Sequence, residues 1–181
     1  MEKPLLIVVT GRPASGKTTL AHLLSREIKC PLLSRDEFKE GYVNTSGVSH
    51  TQLTEEANRD IYETFFQAIG LLISKGITLV VEAAFQHKLW APKLINLSDK
   101  AAIKIIVCKI PLEAAKERFY KRLIEQPDRE KFHGDASNKE SVLLTGDYQT
   151  LKISAPTLEV DTSDYYKPDL KKIVDFIRCG T

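Results

Sequence analysis

The stretch LLIVVTGRPASGKTT, residues 5–19, decides the fold of this chain. Its first five residues form a short, continuous apolar run that is largely β-branched, which is typical of a strand buried on both faces of a parallel sheet. Glycine, proline and serine then predict a tight turn. From Lys17 to Ile28, leucines and an isoleucine recur on one face of a helix. A buried strand, a glycine-rich turn and a helix, in this order, predict the first unit of an α/β fold.

The turn between this strand and helix matches a phosphate-binding motif, G-x-x-x-x-G-K-[ST], at every fixed position. Gly11 and Gly16 let the backbone curl so that its N–H groups point inward at a helix N-terminus, where they can hold an anion. In this Walker A motif the lysine, Lys17, reaches the β and γ phosphates, and the hydroxyl of Thr18 is a ligand of Mg²⁺. The alternative is a glycine-rich turn that merely caps a helix. We predict a nucleoside triphosphate site lined by Gly11, Pro13, Ala14, Ser15, Gly16, Lys17, Thr18 and Thr19.

The rest of the chain alternates strands with helices. Further strands are predicted at residues 32–34, 77–82, 103–110 and 157–160, and further helices at 51–75, 111–124 and 168–177. Residues 41–50 are rich in glycine, serine, threonine and asparagine and predict a loop, and residues 126–139 are polar and irregular. This alternation predicts a parallel sheet with helices on both faces, in a single domain over residues 1–181.

Composition excludes few classes of function. The net charge of +2 does not indicate a polyanionic partner, although it leaves nucleic acid possible. Three cysteines far apart in the chain predict free thiols, and the four histidines lack metal-ligand spacing, so we expect surface or loop positions for them. No stretch approaches the roughly 20 apolar residues of a membrane span. The amino terminus has no signal-peptide pattern, so we expect a cytoplasmic protein that does not interact with membranes.

A second group of polar residues, SRDEFK at positions 34–39, follows the second predicted strand. A carboxylate at the carboxyl edge of the sheet can face the γ-phosphate, and a kinase needs a base there to take the proton of an acceptor hydroxyl. Asp36 is the candidate for this base. Its alternative role is the N-cap of the following helix, and both can hold. Arg35 is either a substrate contact or a surface residue.

These features together resemble the small P-loop kinases that include polynucleotide 5′-hydroxyl kinase domains, zeta-toxin-like kinases and chloramphenicol phosphotransferase. The resemblance rests on the Walker A loop, the segment Arg35-Asp36-x-x-Lys39, the acidic strand end at Glu82 and an arginine-bearing region from Arg118. It implies a three-layer P-loop NTPase fold with a five-stranded parallel sheet of order 2-3-1-4-5 and a small lid at about residues 126–139. It also implies ATP and Mg²⁺ as cofactors.

The resemblance also assigns roles on the acceptor side. In that family the residue matching Asp36 is the base toward the acceptor hydroxyl, and the residue matching Lys39 helps to hold the acceptor. Polynucleotide kinases typically carry arginine at the latter position, so this chain departs from them there. Glu82 matches a Walker B carboxylate that holds Mg²⁺ through water, although aspartate is commoner. Its alternatives are a structural carboxylate or a contact to the acceptor.

Arginines provide the last implied group. Arg118 and Arg122 lie one helical turn apart on one face, and in the resembling kinases such arginines stabilise charge on the transferring phosphoryl group. The alternative is a solvated helix face on which Glu117 and Glu125 pair with them. The resemblance also places residues 161–163 beside the adenine, whereas by sequence alone they are an ordinary strand-to-helix turn.

We therefore expect a phosphotransferase that moves the γ-phosphoryl group of ATP to a hydroxyl of a small-molecule or nucleotide-like acceptor. Nucleosides, polynucleotide ends, nucleotide sugars and antibiotics are all open as acceptors. The alternatives to a kinase are an ATP hydrolase without a phosphate acceptor and a nucleotide-gated binding protein.

Overall fold

The computed structural model describes residues 2–85, 87–134 and 149–179. Residues 135–139 of the predicted lid therefore lie outside the described residues. The strands are β1 (Leu5–Gly11), β2 (Leu32–Ser34), β3 (Leu79–Glu82), β4 (Ala102–Lys109) and β5 (Thr157–Asp161). The helices are α1 (Lys17–Ile28), α2 (Arg35–Ser46), α3 (Glu55–Ser74), α4 (His87–Ile95), α5 (Leu112–Glu125), α6 (Arg129–His133) and α7 (Leu170–Arg178), with a 3₁₀ turn at His50–Gln52.

The five strands form one sheet in the order β2-β3-β1-β4-β5, and every neighbouring pair is parallel. The predicted fold class and strand order are confirmed. In the register of the central strands, Glu82 of β3 lies between Val9 of β1 and Ser34 of β2. The carboxyl ends of these three strands therefore meet at one edge of the sheet, which is where open α/β sheets bind ligands.

Both faces of the sheet are buried, as the continuous apolar run of β1 predicts. Leu6 and Val8 pack into one cluster with aromatic and aliphatic residues of α3 and α4. Ile7 and Val9 pack into the other cluster, with leucines of α1 and isoleucines of α7. Because successive strand residues point to opposite faces, β1 is anchored from both sides and holds the following loop in place.

Aromatic packing positions α2, the helix that carries Asp36 and Lys39. Phe38 of α2 meets Phe65 of α3 edge to face, with ring centroids 5.5 Å apart. Phe65 in turn lies against Trp90, which is buried among aromatic rings of α3 and the ring of Phe85. Such edge-to-face pairs add to the burial of apolar area and fix the orientation of the rings. The helix is thus held at the edge of the sheet by the core beneath it.

The segments around α2 and α3 differ from the sequence prediction. Helix α2 continues through Ser46, although residues 41–50 predict a loop, because Val43 is fully buried and tertiary packing outweighs the weak propensity of the polar residues around it. The helix ends at Gly47, whose φ of 72° is in the left-handed region. Helix α3 begins four residues later than predicted, with Thr54 as its N-cap.

Residues 129–133, predicted to be irregular, form the short helix α6, which packs on α2 and on the 3₁₀ turn. Among the described residues, none of the helices is both long enough and apolar enough to cross a membrane.

Candidate functional site

The glycine-rich loop between β1 and α1 favours glycine at both fixed positions, for lack of space at Gly11 and for its backbone conformation at Gly16. A Cβ on Gly11 would lie 2.7 Å from the backbone oxygen of Cys108 and 2.5 Å from the Oγ of Ser15. Gly16 has a φ of 75°, in the left-handed region that glycine adopts without strain. The sequence motif therefore has the backbone that it requires, and the loop leads directly into the N-terminus of α1, where anions bind.

Lys17, the lysine of the motif, faces the carboxylate of Glu82. The Nζ of Lys17 lies 3.7 Å from Oε1 of Glu82, and both side chains are buried. The hydroxyl of Ser34 donates to the other carboxylate oxygen, Oε2, at 2.7 Å. Burial raises the pKa of Glu82, as does the charge of Asp36, and these effects exceed the opposing ones of Lys17 and of hydrogen bonds from Ser34 and Thr18. This carboxylate is therefore fixed beside the phosphate-binding lysine and the Thr18 hydroxyl.

One carboxylate oxygen of Glu82 lacks a hydrogen-bond donor among the described residues. Its Oε1 is buried and accepts no hydrogen bond from the described residues, since 3.7 Å to Lys17 is an ion-pair distance that is too long for a hydrogen bond. A buried acceptor left in this way is costly unless a further group pairs with it. The atom lies where the motif places the phosphates and their cation, so the residues present fit Mg²⁺.

The described residues contain no cluster of three or more histidine, cysteine, aspartate or glutamate side chains that could hold a metal ion alone. This is compatible with Mg²⁺, which is usually held by one or two protein oxygens together with substrate phosphates. Among the oxygens at this edge, those of the Thr18 hydroxyl and the Glu82 carboxylate are the candidates to hold it. Cys30, Cys108 and Cys179 have free thiols, as predicted.

Asp36 lies in the first turn of α2, two residues beyond the end of β2. The N-cap position belongs to Ser34, so the alternative that Asp36 is the N-cap is wrong, although a carboxylate in the first turn still favours the helix dipole. Arg35 donates from Nη1 to Oδ1 of Asp36 at 3.3 Å. Burial raises the pKa of Asp36, but the positive charges of Lys17, Arg35 and His133 outweigh it and hold the pKa below its usual value. The carboxylate is therefore ionised at neutral pH.

Basic side chains gather one turn further along α2. Lys39 is only 4% exposed, and its burial together with the charge of Arg35 lowers its pKa to about 8, against the opposing effect of Asp36. On α6, the Nε2 atom of His133 lies 2.7 Å from Oε1 of Glu40. His50, on the 3₁₀ turn, packs against Gly134 at the end of α6. His133 was expected at the surface or in a loop, but its side chain is only 9% exposed because α6 packs on α2.

Arg118 of α5 lies on the other side of the loop. It donates from Nη2 to the backbone oxygen of Thr162 at 2.9 Å and to that of Ser163. Its Nη1 lies 4.0 Å from the position that a Cβ on Gly16 would take, so the guanidinium is beside the glycine-rich loop. Arg118 therefore bonds to backbone carbonyls and is more than a solvated residue paired with Glu117.

The turn after β5 is also tied to the glycine-rich loop. The hydroxyl of Thr162 is within hydrogen-bond distance of the backbone oxygens of Ser15, at 2.7 Å, and of Lys109, at 3.0 Å. These contacts hold the turn against the glycine-rich loop. Arg122, one turn beyond Arg118, lies over the ring of Phe119 at 5.4 Å, while Glu125 pairs with Lys121.

The structure brings Lys17, Thr18, Asp36 and Glu82 together at the carboxyl edge, with Arg118 on the opposite side of the loop. Sequence reasoning did not assign the contacts that hold this group in place. Their signals were that Ser34 directly precedes the Arg35-Asp36 segment, and that Thr162 lies in the turn that the resemblance places beside the adenine.

Comparisons with known proteins agree with this fold. A family model described as "AAA domain" matches residues 6–140. A kinase candidate from Chloroflexus aurantiacus J-10-fl has a crystal structure that is similar, with a TM-score of 0.80 and 30% identity, over 98% of this chain and 96% of that chain. No curated protein sequence matches the chain.

Two more distant structures share the fold. The Mycobacterium tuberculosis APS kinase CysC, in complex with AMPPNP and APS, has a TM-score of 0.67 and 16% identity over 98% of this chain and 99% of that chain. A gluconokinase from Sinorhizobium meliloti 1021 has a TM-score of 0.58 and 18% identity over 98% of this chain and 93% of that chain. The fold is therefore one that P-loop kinases use.

Proposed function

Because the chain belongs to the AAA domain family and has the fold of P-loop kinases, we propose that it is an ATP- and Mg²⁺-dependent phosphotransferase that phosphorylates a hydroxyl of a small-molecule or nucleotide-like acceptor. The observation that carries this proposal is the position of Asp36. An ionised carboxylate lies close enough to Lys17 for their charges to interact, at the edge where the phosphate-binding loop opens. A kinase needs this pairing of base and phosphate-binding lysine.

On the donor side, backbone N–H groups of the loop and the ammonium of Lys17 bind the phosphates and orient the γ-phosphoryl group. The Thr18 hydroxyl and the Glu82 carboxylate would hold Mg²⁺, which when bound neutralises negative charge on the phosphate oxygens. Glu82 has a second role in this proposal. Its charge keeps the Nζ of Lys17 at the mouth of the loop through their 3.7 Å contact.

On the acceptor side, Asp36 takes the proton of the acceptor hydroxyl. The hydroxyl oxygen forms a bond to the γ-phosphorus as the bond from that phosphorus to the β–γ bridging oxygen breaks, and the electron pair of the broken bond leaves with ADP. Asp36 is a weak base because its pKa is lowered. Phosphoryl transfer tolerates a weak base, since its transition state is loose and the hydroxyl becomes acidic only as the new bond forms.

We assign the arginines of α5 to charge on the transferring group. Arg118 supports this role because its guanidinium lies beside Gly16, at the start of α1. Its hydrogen bonds to the turn after β5 also hold the guanidinium in one position, so it could stabilise charge on the transferring phosphoryl group without rearranging. Arg122 lies on the same face one turn further from this loop, so we expect its effect on turnover to be the smaller one.

The test is ADP release from Mg-ATP, with and without nucleosides, polynucleotide 5′ ends, nucleotide sugars and antibiotics as acceptors. One acceptor should accelerate release, and Asp36→Asn should reduce that acceleration by about 10²-fold or more while ATP binding persists. Glu37→Gln is the matched control. The carboxylate of Glu37 lies in the same helical turn as that of Asp36, and the two side chains are similarly exposed, at 48% and 44%, but Glu37 pairs with His22. Full acceptor turnover in Asp36→Asn would refute the assignment of the base.

The same measurement separates the alternatives. Steady ADP release that no acceptor accelerates would indicate an ATP hydrolase. Negligible turnover, together with a nucleotide-dependent change in affinity for a partner, would indicate a nucleotide-gated binding protein.

A further inference from the structure

Thr162, in the turn after β5, contacts three neighbouring segments. The residue is 6% exposed, although it lies in a turn. Its hydroxyl oxygen lies 2.7 Å from the backbone oxygen of Ser15 and 3.0 Å from that of Lys109. Its own backbone oxygen accepts a hydrogen bond from Arg118 at 2.9 Å. Thr162 therefore links the glycine-rich loop, the end of β4 and the arginine of α5.

The hydroxyl of Thr162 has one proton, which it can donate to only one of these two carbonyls at a time. The carbonyl of Lys109 already accepts a hydrogen bond from the backbone N–H of Thr162, at 2.9 Å. The carbonyl of Ser15 accepts from no other group within residues 2–85, 87–134 and 149–179, and Ser15 is fully buried. A buried carbonyl without a donor is costly, so the hydroxyl proton is placed on the oxygen of Ser15.

A donor on this carbonyl also sets the direction of the next amide. The peptide bond between Ser15 and Gly16 is trans and planar, so its C=O and its N–H point in opposite directions. With the oxygen held by Thr162, the N–H of Gly16 points away from the turn after β5. This N–H donates to none of the described residues, as is usual at the start of a helix. Backbone N–H groups of this loop are the groups with which the motif binds phosphate.

The backbone of the loop needs such a contact because part of it is strained. Ala14 has a φ of 59° and Gly16 has a φ of 75°, both in the left-handed region. Glycine adopts this conformation freely, whereas alanine is disfavoured there. Left-handed residues in such a loop let neighbouring N–H groups face one concave site for an anion. A strained backbone persists only where surrounding contacts hold it, and the contact from Thr162 is made to the residue between these two.

We propose that Thr162 is a positioning residue of the phosphate site, whose hydroxyl orients the peptide between Ser15 and Gly16 so that the Gly16 N–H faces the nucleotide phosphates. This inference rests on the donor site of the proposed function, and it adds to that site a residue 147 positions from Ser15 in the chain. The backbone oxygen of Thr162 also holds Arg118. One turn thus positions two groups for the phosphates, an amide and a guanidinium.

Two substitutions separate the hydroxyl of Thr162 from the rest of the side chain. Thr162→Val keeps the shape of threonine without the hydroxyl, whereas Thr162→Ser keeps the hydroxyl without the methyl group. In calorimetric titrations with Mg-AMPPNP, we expect an affinity about tenfold weaker in Thr162→Val and within about threefold of the unaltered protein in Thr162→Ser. Thr157→Val is the matched control, because it removes a hydroxyl that donates to the backbone oxygen of Ala155 at 2.9 Å, at the other end of β5. Its affinity for Mg-AMPPNP should be unchanged.

The amide of Gly16 provides a second measurement, which a general loss of stability would not reproduce. In proton–nitrogen correlation spectra, its proton should move downfield when Mg-AMPPNP binds to the unaltered protein, because the amide then donates to a phosphate oxygen. Thr162→Ser and Thr157→Val should keep this shift. Thr162→Val, saturated with Mg-AMPPNP, should lose most of it.

Three outcomes would overturn the role of the Thr162 hydroxyl. The first is equal AMPPNP affinity in Thr162→Val and the unaltered protein. The second is an equal loss of affinity in Thr162→Val and Thr162→Ser, since the methyl group would then hold the loop. The third needs no variant, and so does not depend on whether one folds: a Gly16 amide that does not shift when AMPPNP binds to the unaltered protein. Failure of the unaltered protein to bind AMPPNP would instead contradict the donor site itself, and this inference with it.

Discussion

The burial of Lys39 makes the stability of this protein depend on pH in a way that one substitution should abolish. The side chain is 4% exposed and its pKa in the folded chain is about 8, compared with about 10.5 when it is solvated. Between these two values the unfolded chain binds a proton that the folded chain has released, so the free energy of unfolding rises with pH. Stability is lowest below the folded pKa, where the folded chain must hold a positive charge on a side chain that is almost entirely buried.

The magnitude follows from the two pKa values of Lys39. One pKa unit is worth about 1.4 kcal/mol, so between about pH 7 and about pH 9.5 this single group should raise the free energy of unfolding by about 2 kcal/mol. The methionine of Lys39→Met fills a similar volume and carries no proton. Its stability should therefore exceed that of the unaltered protein most at neutral pH, and the excess should shrink by about 2 kcal/mol at the higher pH.

The assay is urea unfolding of both proteins at each pH, with Lys75→Met as the exposed control. Subtracting the two curves cancels the titration of tyrosines and cysteines that the proteins share. A difference between Lys39→Met and the unaltered protein that stays constant across this pH range would refute the reasoning, since Lys39 would then be solvated.

Two other substitutions test the donor site. Glu82→Gln removes the carboxylate charge beside Lys17 and Thr18. In a Mg²⁺ titration of AMPPNP binding, this variant should need about tenfold more Mg²⁺ for half-maximal binding. An unchanged titration would contradict a metal-linked role of Glu82. Gly11→Ala places a Cβ 2.7 Å from the backbone oxygen of Cys108, and should cost about 1–3 kcal/mol in urea unfolding and abolish nucleotide binding. Normal AMPPNP affinity in that variant would contradict the tight loop.

The phosphate site was predictable because its determinants are neighbours in the chain. A strand buried on both faces, two glycines at fixed spacing and a lysine at the start of a helix lie within residues 5–19, and each acts through local sterics or periodicity. The bounds of α1 and β2 agree with the prediction for the same reason. The position of Asp36 was predicted from its place after a strand, because the carboxyl ends of parallel strands all lie at the same edge of the sheet.

Tertiary packing decided the rest of the candidate site. Glu40 and His133 are 93 residues apart, and Ser34 and Glu82 are 48 apart, so no local pattern pairs them. Residues 41–46 are helical because Val43 is buried by other elements, against the preference of their polar composition.

Lys39 shows most clearly what the sequence by itself determined and what it did not. The resemblance implies that Lys39 is a basic residue that helps to hold the acceptor. The sequence could not show that the side chain of Lys39 is almost entirely buried, or that His50 lies near enough for the two charges to interact. The desolvation of a side chain and its interactions with other charges depend on how the helices pack against one another, so only the tertiary structure decides them.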